Sequence, residues 1–373
     1  MINLKNKSKV TSLAAYLKRI KAMSADLAGT RDEDTIVYRG HSNSSYRFLP
    51  SLLRENYGDI KEHEAELIRE IEANYPGEFA DMTTLDKLVK LQHYGFPTRL
   101  LDVTLNPLVA LYFAVRPSED KAPCDGSVVL CRVKNERKKF FDSEIVVSMA
   151  NLANLDYSMQ VHLRNIARKK GIAEGKRYVL REHPYSELHG ETEAISENTT
   201  HVNIAKGKNY TSENTLPYDK KSIQKTSEPL NINLGVANIS YTNTELDKEK
   251  SKRIYTEKTV RKFLRLVQAD LPCFDGILDM HDIYSPVYVM AKRLNPRIEA
   301  QDGAFLLFGI SETAEDTEAE NFLQAEIIIS KRAKSKILEE LAFIGINEAK
   351  LFPELDKYLL SYAKKLRNNV TKS

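Results

Sequence analysis

The spacing of apolar and polar positions along the chain predicts several amphipathic helices. Apolar side chains recur every three or four residues in these segments, which places them on one face of a helix. One segment, residues 108–115, is apolar on nearly every side, so that helix is expected to be buried. The predicted helices cover residues 9–28, 59–75, a segment capped by Thr84 that ends near Tyr94, and residues 108–115, 258–268 and 333–343.

Other segments are short, rich in branched and aromatic residues, and predict strands. They are residues 35–38, 98–103, 127–133, 285–291, 304–310 and 325–329. Strands and helices follow one another without the regular alternation of a doubly wound fold. We therefore expect an α+β fold with a mixed, largely antiparallel central sheet and flanking helices.

The character of the chain changes after residue 134. Residues 183–252 are polar throughout, so they bury too little apolar surface to offset the entropy cost of ordering. Whether they are flexible or form a lid stays open. The expected organisation is an N-terminal helical segment over residues 1–30, the first part of a domain over 31–133, an insertion over 134–257, and the rest of the domain with terminal helices over 258–373.

Composition narrows the class of protein. The 55 Lys and Arg residues nearly balance the 52 Asp and Glu residues, which gives a formal net charge of +3 and no global attraction to nucleic acid or membranes. Three cysteines without a Cys-x-x-Cys spacing are expected to be reduced thiols rather than metal ligands. The sequence shows neither a signal-peptide pattern nor a run of about 18 apolar residues. We expect a cytoplasmic protein that does not interact with membranes.

Two segments place polar side chains directly against apolar stretches. The first begins with Tyr-Arg-Gly-His at residues 38–41 and ends with Pro-Ser-Leu-Leu-Arg at 50–54. The second reads Gln-His-Tyr-Gly-Phe-Pro-Thr-Arg-Leu-Leu-Asp-Val-Thr over residues 92–104. Such patterns are expected where a rigid scaffold presents a polar site, so the two segments are predicted to form one site. The sequence lacks the P-loop, the dinucleotide-binding glycine motif, the zinc-protease motif and the serine-hydrolase elbow.

Arg39 is the leading candidate in the first segment. An arginine that leaves a strand at Gly40 can hold its planar fork in one orientation, which suits bidentate binding of a phosphate or carboxylate. The alternative is a structural arginine that pairs with Asp102 and fastens two strands. His93 and Tyr94 are either ligand contacts or the packed end of a helix.

Polar residues farther along the chain also have two interpretations. Arg99, Asp102 and Thr104 lie in an extended run, where strict alternation places Asp102 and Thr104 on one face. Glu299 and Gln301 precede a strongly apolar strand, and they either face the same site or belong to a solvated turn.

These segments resemble the FRG domain family of bacteria and phages. The similarity covers residues 33–116 and resumes at residues 297–305 and 351–356. Many members of that family have Phe where this chain has Tyr38, and Trp where it has Val103. An aromatic ring is therefore kept at the first position and lost at the second. The resemblance implies a domain type without a settled activity.

The order of the motifs is also similar, over a few dozen residues, to NAD-dependent ADP-ribosyltransferases of the Arg-Ser-Glu type. This weaker resemblance implies an ADP-ribosyltransferase-like core with NAD as the substrate. Carried over to this chain, Arg39 would hold NAD, and Gly40, His93, Tyr94 and Arg99 would line the same binding site.

The same resemblance assigns catalytic roles to three residues. Thr104 would take the place of the supporting hydroxyl, and Glu299 or Gln301 would stabilise the positive charge that develops on the ribose as nicotinamide leaves. The chain departs from that family because it has no Ser-Thr-Ser triplet and carries Gln301 where a second glutamate stands.

Three functions follow from the sequence as hypotheses. The leading one is an NAD-using ADP-ribosyltransferase or NAD glycohydrolase, an intracellular effector in toxicity or antiphage defence with a protein or nucleic-acid acceptor. The alternative is a non-catalytic domain in which Arg39, His93 and Arg99 hold a nucleotide or a nucleic-acid end. The third is a metal-dependent nuclease, which would need carboxylates and histidines to cluster, with Asp102, His93, Glu299 and Asp302 as the candidates.

Overall fold

The computed structural model describes residues 9–28, 34–118, 122–173, 175–181, 243–290, 292, 295–311, 322–354 and 359. The chain divides into two compact units, one of Met1–Glu182 and Tyr255–Ser373 and the other of His183–Ile254. The second unit is described only from residue 243 onward, so most of the predicted polar insertion, 183–252, lies outside the described residues. Within the described ranges, no helix is long and apolar enough to cross a membrane.

The strands found in the described residues confirm the predicted fold class. They are β1 Thr35–His41, β2 Leu100–Thr104, β3 Gly126–Val133, β4 Lys138–Phe140, β5 Val179–Arg181, β6 Ile277–Asp279, β7 Val287–Met290, β8 Gly303–Leu307 and β9 Phe322–Ile329. Seven of them form one sheet in the order β4-β7-β8-β2-β1-β3-β9, and every neighbouring pair is antiparallel except β4 with β7. β5 and β6 form a separate two-stranded sheet. The fold is therefore α+β with a largely antiparallel sheet.

The described residues form the predicted helices, with differences at their ends, together with helices that were not predicted. They are α1 Leu13–Ala28, α2 Gly58–Glu62, α3 Glu64–Asn74, α4 Pro76–Phe79, α5 Thr84–His93, α6 Pro107–Val115, α7 Glu144–Asn151, α8 Tyr157–Lys170, α9 Asn243–Asp270, α10 Pro296–Ala300, α11 Lys334–Phe343 and α12 Glu348–Leu351. The helix predicted over 59–75 is interrupted at His63, between α2 and α3. The cap of α5 is Thr83, whose Oγ1 accepts a hydrogen bond from the N–H of Asp86 at 3.3 Å, and not Thr84.

The two faces of the seven-stranded sheet pack into different hydrophobic clusters. Tyr38 packs with helices α1, α6 and α11 over β1, β3 and β9. Val37, its neighbour in β1, packs beneath Leu49 in the segment that follows β1. Because successive residues of a strand point to opposite faces, Arg39 and His41 share the face of Val37.

Helices α5, α7, α8 and α9 complete the largest cluster, over β2, β7 and β8. Met149 of α7 and Leu163 of α8 are fully buried in it. Residues 144–170, which the sequence analysis assigned to the insertion, therefore supply part of the main core.

Helix α6 approaches the sheet most closely over two glycines. A Cβ at Gly40 would stand 1.9 Å from the carbonyl oxygen of Ala110, and a Cβ at Gly126 would stand 2.1 Å from the carbonyl oxygen of Ala114. No larger residue fits without moving the helix, so packing explains Gly40 without any ligand.

We predict that Gly40→Ala lowers the free energy of unfolding by about 3 kcal/mol, because the added methyl group meets helix backbone that cannot rotate away. The matched control is Gly77→Ala in α4, where nothing lies within 4 Å of an added Cβ. That change should raise stability by about 0.5 to 1 kcal/mol. Urea unfolding of both variants measures the difference, and equal midpoints would contradict the close approach of α6.

Candidate functional site

Five residues from the two motif segments are connected by hydrogen bonds and are called here the motif relay. Thr98 Oγ1 donates to Gln92 Oε1, and Gln92 Nε2 donates to Asp102 Oδ1 at 2.7 Å. Arg39 Nη1 donates to the main-chain carbonyl of Asp102, and Arg39 Nε donates to His41 Nε2 at 3.2 Å. The relay connects the two segments that the sequence analysis expected in one site.

Arg39 lies where β1 and β2 separate. The ladder between these strands consists of one residue pair, Tyr38 with Thr104. Beyond that pair Arg39 reaches across to Asp102, whose Oδ2 is 3.8 Å from Nη1. These contacts match the alternative in which the arginine fastens two strands. Its Nη2 has no hydrogen-bond partner among the described residues, and 19% of the side chain is exposed.

His41 is a neutral, buried donor. Burial, together with Arg39 and Arg54, lowers the pKa of His41 to about 3, and only 3% of the residue is exposed. Because Nε2 accepts a hydrogen bond from Arg39, the ring proton is on Nδ1. That N–H has no acceptor in the part of the chain that the structure describes. Buried donors without an acceptor are rare in folded proteins.

Arg39, His41 and Arg54 together form a group of hydrogen-bond donors, called here the arginine cluster. Burial lowers the pKa of Arg39 to about 10, Asp102 opposes this shift, and Arg54 adds to it. Arg54 donates through Nε and Nη2 to the carbonyl of Leu49 at 3.2 and 3.1 Å. Its Nη1 has no hydrogen-bond partner among the described residues. With a pKa of about 10, Arg39 is charged at neutral pH.

A cavity of about 220 Å³ adjoins the arginine cluster and is called here the Tyr46 cavity. Its lining residues carry a hydroxyl, a phenol ring, two guanidinium groups and a carboxylate: Ser45, Tyr46, Arg47, Arg54 and Glu55. The Tyr46 ring is set edge-on to His41, with the ring centroids 6.3 Å apart. The cavity therefore combines positive charge, one aromatic ring and one acceptor.

A second, smaller cavity of about 80 Å³ lies beside Asp102 and is called here the Gln92 cavity. Its polar lining comes from Gln92, His93, Asp102, Asn295, Arg297 and Gln301. Asn295 Oδ1 accepts a hydrogen bond from the N–H of Arg297 at 2.8 Å, so Nδ2 donates to His93 Nδ1 at 2.7 Å. Neutral His93 therefore carries its proton on Nε2. His93 lines this cavity, whereas Arg39 is not among its lining residues.

The three residues given catalytic roles lie in different surroundings. Gln301 lines the Gln92 cavity, but its Nε2 donates to the carbonyl of Leu351 at 2.9 Å. The buried hydroxyl of Thr104 donates to the carbonyl of Gln301 at 2.7 Å and accepts from the N–H of Asn106 at 3.0 Å. Glu299 is exposed on α10 and does not line the cavity.

The expected cofactor-binding residues are also spread over the molecule. Arg99 forms a bidentate ion pair with Glu64, and the two side chains are 4% and 1% exposed. This pair fastens α3 to the start of β2, and Gln160 of α8 accepts a further bond from Arg99 at 3.3 Å. Tyr94 is 75% exposed and meets the His93 ring edge-on, with centroids 5.4 Å apart.

The segment 38–54 was expected in the site, but His41, Tyr46 and Arg54 were not singled out within it. Period-two alternation along β1 was a usable signal for His41, because it shares a face with Arg39. The other two residues lie in the segment that crosses that face, and the tertiary structure brings Arg54 near Arg39 and Tyr46 near His41. Among the described residues, no group of three or more His, Cys, Asp or Glu side chains is placed to hold a metal ion.

Comparison with known protein families gives a match to one region of the chain. The family model described as the FRG domain matches residues 34–122. No curated protein and no solved structure gives a significant match to the chain. The matched region contains the whole motif relay and the Tyr46 cavity, whereas Glu299 and Gln301 lie outside it.

We predict that His41 makes stability depend on pH. Its pKa is about 3 in the folded chain and about 6.5 when unfolded, so its contribution is complete above pH 6.5 and is lost as the pH falls toward 3. In this window wild type should lose up to about 1.4 kcal/mol per pH unit relative to His41→Gln. The glutamine keeps an acceptor for Arg39 but does not titrate.

Urea unfolding between pH 4 and 7 measures this difference. The control is His63→Gln, the same substitution at an exposed histidine. If the stability of wild type and of His41→Gln changes with pH in parallel, His41 has the same pKa in the folded and unfolded chains and the prediction is wrong.

Proposed function

We propose that this chain, whose residues 34–122 form an FRG domain, binds a phosphate-bearing ligand of the nucleotide class at the arginine cluster and the Tyr46 cavity. The observation that carries the proposal is an excess of donors. Arg39 and Arg54 each have one guanidinium nitrogen without a hydrogen-bond partner among the described residues, and His41 adds a buried N–H without an acceptor.

Phosphate is the group that suits these donors. A guanidinium fork binds phosphate oxygens through parallel, charge-assisted hydrogen bonds. Arg47 adds a third positive charge at the cavity wall, where it is exposed to solvent. Asp102 offsets part of the charge of Arg39, but its Oδ2 stays 3.8 Å from Nη1. An incoming anion would therefore find positive charge that the protein itself neutralises only in part.

Ligand binding is better supported than catalysis by Thr104, Glu299 and Gln301, the residues to which the weaker resemblance assigned catalytic roles. The hydroxyl of Thr104 already donates one hydrogen bond and accepts another within the protein, and Glu299 lines neither of the two cavities. The recognition function, which the sequence analysis held as an alternative, therefore becomes the leading one.

We predict that Arg47→Gln weakens binding of inorganic pyrophosphate by about tenfold, because it removes one charge-assisted contact worth about 1.5 to 3 kcal/mol with phosphate. The matched control is Arg168→Gln, which removes the same charge from an exposed position on α8. Isothermal titration calorimetry at two salt concentrations gives both affinities. Equal losses in the two variants would indicate a general charge effect, and wild type that binds neither pyrophosphate nor a nucleoside monophosphate would overturn the proposed function.

A second candidate function is cleavage of the bond between nicotinamide and ribose in NAD. One observation favours it: Asp102 presents a carboxylate that is 64% exposed, oriented by Gln92, and close to Arg39. A fixed carboxylate of this kind can stabilise the positive charge that develops on a ribose as its leaving group departs. The carboxylate of this reaction would then be Asp102 and not Glu299.

If the chain cleaves NAD, Asp102→Asn should lower the rate of nicotinamide release by about 100-fold, because the neutral amide no longer stabilises the developing charge. The main-chain carbonyl that accepts from Arg39 is unchanged in this variant. Glu299→Gln serves as the control and should release nicotinamide at the wild-type rate. Chromatography of NAD reactions measures the product. Absence of nicotinamide with wild type would eliminate this candidate and leave the binding function untouched.

A further inference from the structure

We infer that the ligand of the arginine cluster is a nucleoside phosphate whose base stacks on Tyr46 and whose ribose hydroxyls bind Glu55. This inference rests on the proposed function and narrows its ligand class. It is carried by the composition of the Tyr46 cavity, because a phosphate alone would use only the arginines.

The carboxylate of Glu55 disfavours a bare polyphosphate. A ligand that is negative along its whole length would place charge against Glu55, which lines the same cavity as Arg47 and Arg54. A ribose avoids this repulsion, since its two neighbouring hydroxyl groups donate hydrogen bonds to a carboxylate, which only accepts them. Arginine and glutamate in one cavity therefore match a ligand with a charged end and a neutral, hydroxyl-bearing middle.

The ring of Tyr46 provides a surface for a base. It is 36% exposed, and contacts with the His41 ring and with Ser118 Oγ, 3.4 Å from its hydroxyl, hold its orientation. A ring held in place loses little conformational entropy when a base stacks on it. Stacking on an aromatic side chain tolerates any base because every base has a π face. The Tyr46 cavity is therefore expected to bind nucleosides without distinguishing among their bases.

The buried N–H of His41 strengthens this assignment. It lies next to Tyr46, on the same face of the sheet as Arg39, and lacks an acceptor among the described residues. Arg39 and His41 supply donors outside the cavity lining, Tyr46 and Glu55 lie in the lining, and Arg54 belongs to both groups. Such polarity distinguishes the phosphate end of a ligand from its nucleoside end.

The test compares ligands that differ by one part: inorganic pyrophosphate, ribose 5-phosphate, the four nucleoside 5′-monophosphates and their 2′-deoxy forms. Isothermal titration calorimetry with the full chain gives each affinity. Wild type should bind the nucleoside monophosphates about tenfold more tightly than ribose 5-phosphate, because stacking adds to the phosphate contacts. Tyr46→Leu should remove this preference and leave the affinity for ribose 5-phosphate unchanged. Tyr46→Phe, the matched control, keeps the ring and should keep the preference.

Glu55→Gln tests the ribose contact separately. Wild type should prefer ribonucleotides over 2′-deoxy forms, and the variant should lose most of that preference. Equal affinities of wild type for ribose 5-phosphate and nucleoside monophosphates overturn the inference, while binding of pyrophosphate still supports the proposed function. An equal loss of both ligands in Tyr46→Leu also overturns it. If wild type binds none of these probes, the proposed function fails together with the inference.

Discussion

A break in the sheet, and the arginine that bridges it, determines the geometry of the site. β1 and β2 share one ladder pair, so the carbonyl of Asp102 would face Arg39 without a backbone partner. A buried or partly buried carbonyl needs a donor, and the guanidinium of Arg39 provides it. The same guanidinium is thereby oriented toward His41, and the carboxylate of Asp102 is oriented by Gln92. The separation of β1 from β2 thus determines how Arg39, His41, Gln92 and Asp102 are oriented.

Packing on the opposite face explains why the polar groups collect where they do. Helix α6 lies against Gly40 so closely that no side chain fits there. On the other face, the segment after β1 covers Val37 through Leu49 and carries Tyr46, Arg47 and Arg54. Polar side chains of β1 therefore meet a crossing loop and not a helix. A loop leaves room for a cavity, and its backbone can be positioned by short contacts such as that between Arg54 and the carbonyl of Leu49.

Asp102 belongs to both halves of the motif relay. Its carbonyl serves the strand bridge with Arg39, and its carboxylate lines the Gln92 cavity. Arg99, three residues earlier, has the opposite character: both it and Glu64 are buried, and each satisfies the other. Breaking such a pair costs several kcal/mol, about 3 to 5, because a buried charge is left without a partner. Within this motif, Arg99 therefore belongs to a buried structural ion pair, whereas Asp102 belongs to the exposed site.

The sequence by itself determined the fold class and six of the seven strands of the main sheet, but it assigned α7 and α8 to an insertion and not to the core. Apolar periodicity located α6, β3 and α11, and the two motif segments were recognised as the place where polar groups meet apolar strands. It did not decide between the two interpretations of Arg39, and it did not reveal that Arg99 pairs with Glu64, because these contacts join positions far apart in the chain. Local patterns report which face a residue occupies, whereas burial, the register of β1 with β2 and the course of the crossing loop depend on the packing of the whole domain. The tertiary structure alone therefore placed Tyr46 and Arg54 beside His41 and moved Glu299 out to the surface.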